Sequence, residues 1–158
     1  MGASLRVRRY ESADSARCCA IINDAVALMD GLNPAARDHI TASNVPERLG
    51  SDLERWTTLV VESDEGHVVG LGALDDDEIK RLYVDPIAHG LGAARALMSA
   101  LEAIAQTRGL STIRLDASPS SVGFHESLGY LVGRPASLEI GDASFHFVCM
   151  RKDLSRER

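Results

Sequence analysis

The chain has 158 residues, 45% of them hydrophobic, and a formal net charge of −6. At that length about two-thirds of the surface of an unfolded chain is buried on folding, so one domain (1–158) around one core is expected. The acidic balance and the lack of any Lys/Arg block exclude a positive field that would gather nucleic acid, and no apolar run approaches the roughly 20 residues of a membrane span.

The first residues, MGASLRVRRY, carry basic side chains with no apolar stretch behind them, unlike a secretory leader. Leu5 to Arg9 alternate in the manner of a half-buried strand. Ser12 or Asp14 can then cap a helix whose apolar face is Cys18, Ile21, Ile22, Ala25, Val26 and Met29, with Gly31 at its stop. Adjacent Cys18 and Cys19 are poorly placed to bridge each other, and with Cys149 the count is odd. Reduced thiols and a cytoplasmic location are expected. Pro34 opens a short helix through Ile40, and Pro46 another through Leu53.

After Trp56 the period becomes that of strands: Thr58 to Glu62, a turn at Asp64-Glu65-Gly66, His67 to Leu74, an acidic turn, and Glu78 to Val84. The clearest helix follows, with Leu91, Ala94, Leu97, Met98, Leu101, Ile104 and Ala105 on one face and Gly109 at its end. Thr112 to Ala117 is a strand, Ser118-Pro119 opens a helix through Leu128, Gly129 ends it, and Tyr130 to Val132 begins another strand. A last hairpin pairs Ala136 to Ile140 with Ser144 to Met150 around Gly141-Asp142, and Ser155 to Arg158 are expected to fray. This order predicts an α/β (α+β) fold: a mixed, mostly antiparallel sheet of six or seven strands with helices on both faces.

The most informative stretch is Leu82 to Ala94, where a strand passes into a helix through a loop carrying Gly90 and Gly92. Small residues let a ligand approach the backbone, and the first helical N–H groups are unpaired donors at the positive end of the helix dipole. Such a turn can bind phosphate without lysine. There is no Gly-Lys-Ser/Thr, and Arg95 falls where a dinucleotide fingerprint needs glycine or alanine.

From Glu78 to Gly129 the sequence resembles the GNAT superfamily of acetyl-CoA-dependent N-acyltransferases. His89-x-x-Gly92-x-Ala94 falls on that family's Arg/Gln-x-x-Gly-x-Gly/Ala loop after the lead-in "RLYVDP", and "ASPSSVGFHESLGY" is similar to its Asn-x-x-Ala-x-x-Phe-Tyr-x-x-x-Gly-Phe/Tyr signature. The resemblance implies that acetyl-CoA lays its pantetheine arm along the edge of Leu82, Tyr83 and Val84. Its pyrophosphate would rest on the amides of His89, Gly90, Leu91, Gly92, Ala93 and Ala94. Backbone N–H groups of that edge would also stabilise the oxyanion formed when an amine attacks the thioester.

Departures from the family pattern leave roles open. His89 either pairs with phosphate or points to solvent while amides do the binding. Ser118 caps a helix or contacts the cofactor beside Phe124. His125 stands at the family's tyrosine, as general acid for the departing thiolate or as a filler of its space. Glu78 occupies the position of a general base in some members, or simply belongs to the acidic turn Asp75 to Glu78. That turn would in either case draw a cationic amine, and Trp56 and Tyr83 could line an acceptor pocket.

The five histidines show no metal-ligand spacing, there is no Gly-x-Ser-x-Gly elbow, and Cys149 lies in an alternating strand. The expected activity is transfer of an acetyl group from acetyl-CoA to a primary amine of a small molecule or peptide, by direct attack in a ternary complex. A non-catalytic acyl-CoA-binding or interaction module of the same fold is the alternative. Final strands and helix faces of such folds often pair, which leaves a homodimer open.

Overall fold

Alternating apolar residues become a sheet only when both faces find cover, and in this chain the two covers are different sets of helices. The computed structural model describes residues 4–155; of the expected frayed end, residues 156–158 lie outside them. The strands are β1 (Arg6–Arg9), β2 (Thr57–Glu62), β3 (Val68–Asp75), β4 (Glu78–Val84), β5 (Thr112–Ala117), β6 (Leu131–Ile140) and β7 (Ala143–Asp153). The helices are α1 (Ser15–Leu28), α2 (Pro34–Ser43), α3 (Pro46–Arg55), α4 (Ala93–Thr107) and α5 (Val122–Ser127). The strands form one sheet in the order β1-β2-β3-β4-β5-β7-β6, antiparallel throughout except for the parallel pair β4–β5.

Strand β2 shows how the faces divide. Leu59 and Val61 join the core under α4, built on Leu97, Met98, Leu101 and Ala105. Val60, one residue out of phase, joins Cys18, Ile21, Ile22 and Val26 of α1 and Leu49 and Leu53 of α3 on the opposite face. β3 is buried almost end to end for the same reason. Helix α2 covers β7 instead, with the His39 ring edge-on to Phe145 at 5.9 Å.

Three local details differ from the expectations. Neither Ser12 nor Asp14 caps α1: the Asp14 carboxylate accepts two bonds from Arg8, both 2.9 Å, and one from the Glu11 amide, while Ser12–Asp14 form a 3-10 turn. The helix expected after Ser118 is a 3-10 turn, Pro119–Ser121, followed by the six residues of α5, and the Ser118 hydroxyl bonds Ser121 rather than capping the backbone. The segments Tyr130–Val132 and Ala136–Ile140 are one strand, β6, because a bulge between Val132 and Pro135 absorbs the glycine and proline that look like breaks.

The far edge of the α4 core is closed by a polar network. The Glu102 carboxylate on α4 accepts from Lys152 Nζ and from the Tyr130 hydroxyl, both at 2.8 Å, and Lys152 and Tyr130 are buried. Removing the carboxylate takes away an acceptor shared by a buried ammonium and a buried hydroxyl, so Glu102→Ala is expected to lower unfolding stability by about 1–3 kcal/mol. Urea unfolding followed by circular dichroism measures this; a loss below about 1 kcal/mol would show that the pair is solvated and contributes like a surface salt bridge.

Candidate active site

Strands β4 and β5 pair at only two positions, Glu78 with Arg114 and Ile79 with Leu115. Beyond them the strands part, and from Lys80 onward the edge of β4 facing β5 has no strand against it. A bulge initiates the divergence: Arg81 and Leu82 together face Gly72 of β3, and Arg81 takes a positive φ of 56°. The gap opens into a cleft of about 850 Å³, within the range of roughly 300–1,000 Å³ common for small-molecule sites. Because α1 and α4 pack on opposite faces, a cleft lined by residues of both passes through the sheet from one face to the other.

On the α4 side the wall is the loop from His89 to Arg95. Gly92 is the residue before the helix, at φ 85°, and Gly90 lies at φ 86°; nothing lies within 4 Å of the place a Cβ would take on either. Their requirement for glycine is conformational, since the space a side chain would take is open. The first intrahelical bond runs from Ala96 N to Gly92 O, so the amides of Ala93, Ala94 and Arg95 precede the helix's own pairing. The loop's entry is anchored by buried Asp85, whose carboxylate accepts from the Ile87 amide at 3.1 Å and pairs with Arg17 at 2.5 Å. Arg17 also donates from Nε to the Val68 carbonyl, so α1, β3 and the loop are pinned at one point.

The floor holds Ile79, Leu115, Phe124 and His125. His125 is 5% exposed, edge-on to Phe124 at 5.1 Å and to Tyr130 at 5.7 Å, and its Nδ1 is buried without a hydrogen-bond partner. Burial pushes its pKa down to about 4, so the ring is neutral at pH 7. Burial also raises the Tyr83 phenol, which stays protonated.

On the α1 side the wall is Ala25, Leu28 and Met29 with Tyr83, and Asp116 of β5 lies opposite. Ile113, Leu115 and Ala117 point into the α4 core, so alternation turns Asp116 toward α1. The segment joining α1 to α2 closes this side. Asp30 accepts from the Ser120 hydroxyl at 2.8 Å and its amide at 3.2 Å, and the Gly31 carbonyl accepts from His146 N at 2.7 Å. Gly31 has φ 80°, and a Cβ there would stand 2.5 Å from the His146 carbonyl oxygen and 2.8 Å from Pro119 Cδ.

Of the residues singled out from sequence, Leu82, Tyr83, Val84, His89, Gly90, Gly92, Ala93, Ala94, Ser118, Phe124 and His125 all line this one cleft. Leu91 belongs to the loop but turns outward. Glu78 is not on the wall; it lies at the closed end of the gap, 3.3 Å from Arg114. Its neighbours Asp75 and Asp77 pair with Lys80 at 2.9 Å and Arg114 at 3.0 Å. Trp56 lies off the cleft among Arg55, Lys80 and Arg81. Sequence reasoning missed Asp116, Arg95, Leu28 and the Asp30–Ser120 bond. The first was available from alternation of β5; the last joins residues 90 positions apart and leaves no local signal.

Among the described residues the fold is a mixed sheet with helices on both faces, split between its parallel strands β4 and β5 beside a glycine-bearing helix start. The chain belongs to the acetyltransferase (GNAT) domain family, which it matches over residues 31–154. The crystal structure of a GCN5-related N-acetyltransferase from Rhodopseudomonas palustris is similar at TM-score 0.88 and 25% identity, over 97% of this chain and 98% of that one. A putative acetyltransferase from Salmonella typhimurium, solved with acetyl-CoA, shares the fold at TM-score 0.69 and 22% identity, over 96% and 94% of the two chains. The PaiA N-acetyltransferase of Thermoplasma acidophilum, in complex with coenzyme A, does so at TM-score 0.73 and 15% identity, over 95% and 99%. No curated protein matches the chain in sequence. Among the described residues no helix is long and apolar enough to cross a membrane.

The depressed pKa of His125 carries a sign for stability. With about 6.5 in the unfolded chain and about 4 in the folded one, the unfolded state binds more protons between those values. The stability held by the neutral ring is therefore complete above pH 6.5 and is lost as pH falls toward 4. His125→Phe is expected to flatten the fall of melting temperature across that window; an unchanged slope would show the imidazole to be solvated in the native state.

Proposed function

We propose that the protein is an acetyl-CoA-dependent N-acetyltransferase that passes an acetyl group directly to a primary amine in a ternary complex. The observation that carries this reading is the parting of β4 from β5 beside the unpaired amides of α4. An extended pantetheine arm has a free strand edge to pair with at Leu82, Tyr83 and Val84, and a pyrophosphate has donors at Gly90 to Arg95, 15-residue α4 adding its dipole. The Arg95 guanidinium stands on the same wall as His89 and adds positive charge.

The thioester supplies an acyl carbon open to attack and a thiolate that leaves. The chain's own groups act around it. Amides on the β4 edge are fixed donors for the developing oxyanion. None of the three cysteines lines the cleft, and Cys18 is buried with its thiol pushed up to about 12, which favours direct attack over a covalent cysteine intermediate. His125 serves as a neutral donor. A proton on its buried Nδ1 would be orphaned, so the proton belongs on Nε2, where it can hydrogen-bond the departing sulfur. Asp116, the carboxylate of the cleft wall, positions the amine and takes up its proton directly or through water, the part first expected of Glu78.

Isothermal titration with acetyl-CoA, dephospho-CoA and desulfo-CoA tests the donor site. Micromolar binding that weakens about tenfold on loss of the phosphate is the expected result; no binding at millimolar acetyl-CoA would overturn the reading.

Initial-rate kinetics with both substrates varied should give intersecting lines, and parallel lines with an isolable acetyl-enzyme would exclude direct attack. In the same assay Asp116→Asn is expected to lower kcat/KM by about 10–100-fold and His125→Phe by about tenfold, with Glu78→Gln within about twofold. A larger loss at Glu78 than at Asp116 would return the base to Glu78.

A further inference from the structure

The wall of the cleft on its α1 side is not that of a polycation site. Leu28, in the last turn of α1, is 75% exposed while lining the cleft, and Ala25, Met29 and Tyr83 continue the apolar surface. An exposed leucine means little by itself, but one turned onto a cleft wall among other apolar groups is a surface that a ligand can cover. Charge points the same way. Asp116 is the one carboxylate among the cleft-lining residues, against the cationic side chains of Arg81 and Arg95. Three of the four carboxylates of the acidic turn, Asp75, Asp77 and Glu78, are paired with Lys80 and Arg114, and Asp30 is held by Ser120. The segment from Met29 to Asn33 crosses this side of the gap, tied to Ser120 and His146, and Asn33 is tied further to Ser144 and Asp142. A polypeptide continuing beyond its amino group meets that strap.

Resting on the acetyltransferase reading, we propose that the acceptor is a small primary amine with a single ammonium group and an apolar chain, the ammonium facing Asp116 and the chain lying on Leu28 and Met29. One carboxylate matches one ammonium; a diamine would press its second charge onto leucine and methionine with no counter-charge. A peptide would have to bend away from the strap at its second residue.

The test uses three acceptors with saturating acetyl-CoA: pentylamine, 1,5-diaminopentane and the tripeptide Leu-Ala-Ala. The first two differ only in a terminal charge. Pentylamine is expected to show kcat/KM at least tenfold above both others. Leu28→Glu, at an exposed position that tolerates a polar side chain, should lower the pentylamine value about tenfold and raise that of the diamine, with KM for acetyl-CoA unchanged. Equal or better use of the diamine or tripeptide, no response to Leu28→Glu, or failure of pentylamine either to react or to raise the melting temperature of the CoA-loaded protein overturns the proposal. Titration with acetyl-CoA on the same preparation separates the two levels: absent binding defeats the acetyltransferase reading and this inference with it, whereas binding with the wrong preference defeats the acceptor assignment alone.

Discussion

Everything at the site depends on two strands that stop pairing. Strands side by side would ordinarily continue their ladder for the length of the shorter one, and β5 does so with its antiparallel neighbour β7, matched from Thr112 to Ala117. With β4 the ladder ends after two residues. The cause lies in β4: two residues face one of β3, Arg81 adopts a left-handed backbone, and the bulged strand bends away. A non-glycine residue in that region costs about 1–2 kcal/mol, which the surroundings must hold in place. Here they do so with the long Arg81 side chain, 3.8 Å from Asp52 and 5.9 Å from the Trp56 ring centre, and with Gly72 opposite, where a Cβ would stand 3.1 Å from both Leu82 and Leu101.

A cleft opened through a sheet exposes backbone polar groups, and the way those groups are left indicates what fits. Beyond Ile79 the β4 edge has no strand on its β5 side, and the amides of Ala93, Ala94 and Arg95 precede the first bond within α4. Around this opening several charged groups are tied off: Asp85 to Arg17, Asp77 and Glu78 to Arg114, Asp30 to Ser120. On the proposed reading an extended, amide-bearing, phosphate-terminated ligand would satisfy both sets of groups at once.

Much of this was legible in the amino-acid sequence because it is local. The apolar stripe of α4, the turns at Gly66 and Gly141, and the glycines of the loop before α4 each state their own conformation within a few residues. What was not legible is where long-range contact overrides local signals. Gly133 and Pro135 punctuate β6 like a break, yet Gly133 lies where a Cβ would be 2.7 Å from the Cys149 carbonyl, a close approach between neighbouring strands rather than an end. Asp14 has the composition of a helix cap, but its oxygens go to Arg8 of β1, which the distant Glu62 of β2 also holds. The acidic run Asp75 to Glu78 suggested an electrostatic lure, and only the fold brings Arg114 beside it. The left-handed Arg81 had no signal at all, since arginine at such a position is set by its tertiary neighbours.

His125 shows how burial selects chemistry. A tyrosine at this position offers a hydroxyl whose proton is available across the neutral range. An imidazole offers either a strongly acidic cation or a neutral N–H donor, and which of these exists depends on solvation. With aromatic rings on two sides and 5% exposure, the cation is disfavoured down to about pH 4, so the proton-donating form is nearly absent at neutral pH. The neutral ring does not need to give up its proton to be useful. A thiolate of pKa near 8.5 is a modest base, and a hydrogen bond in a dry site can stabilise it until solvent protonates it after release. On the proposed reading the rate should depend little on His125 ionisation above the ring's pKa of about 4.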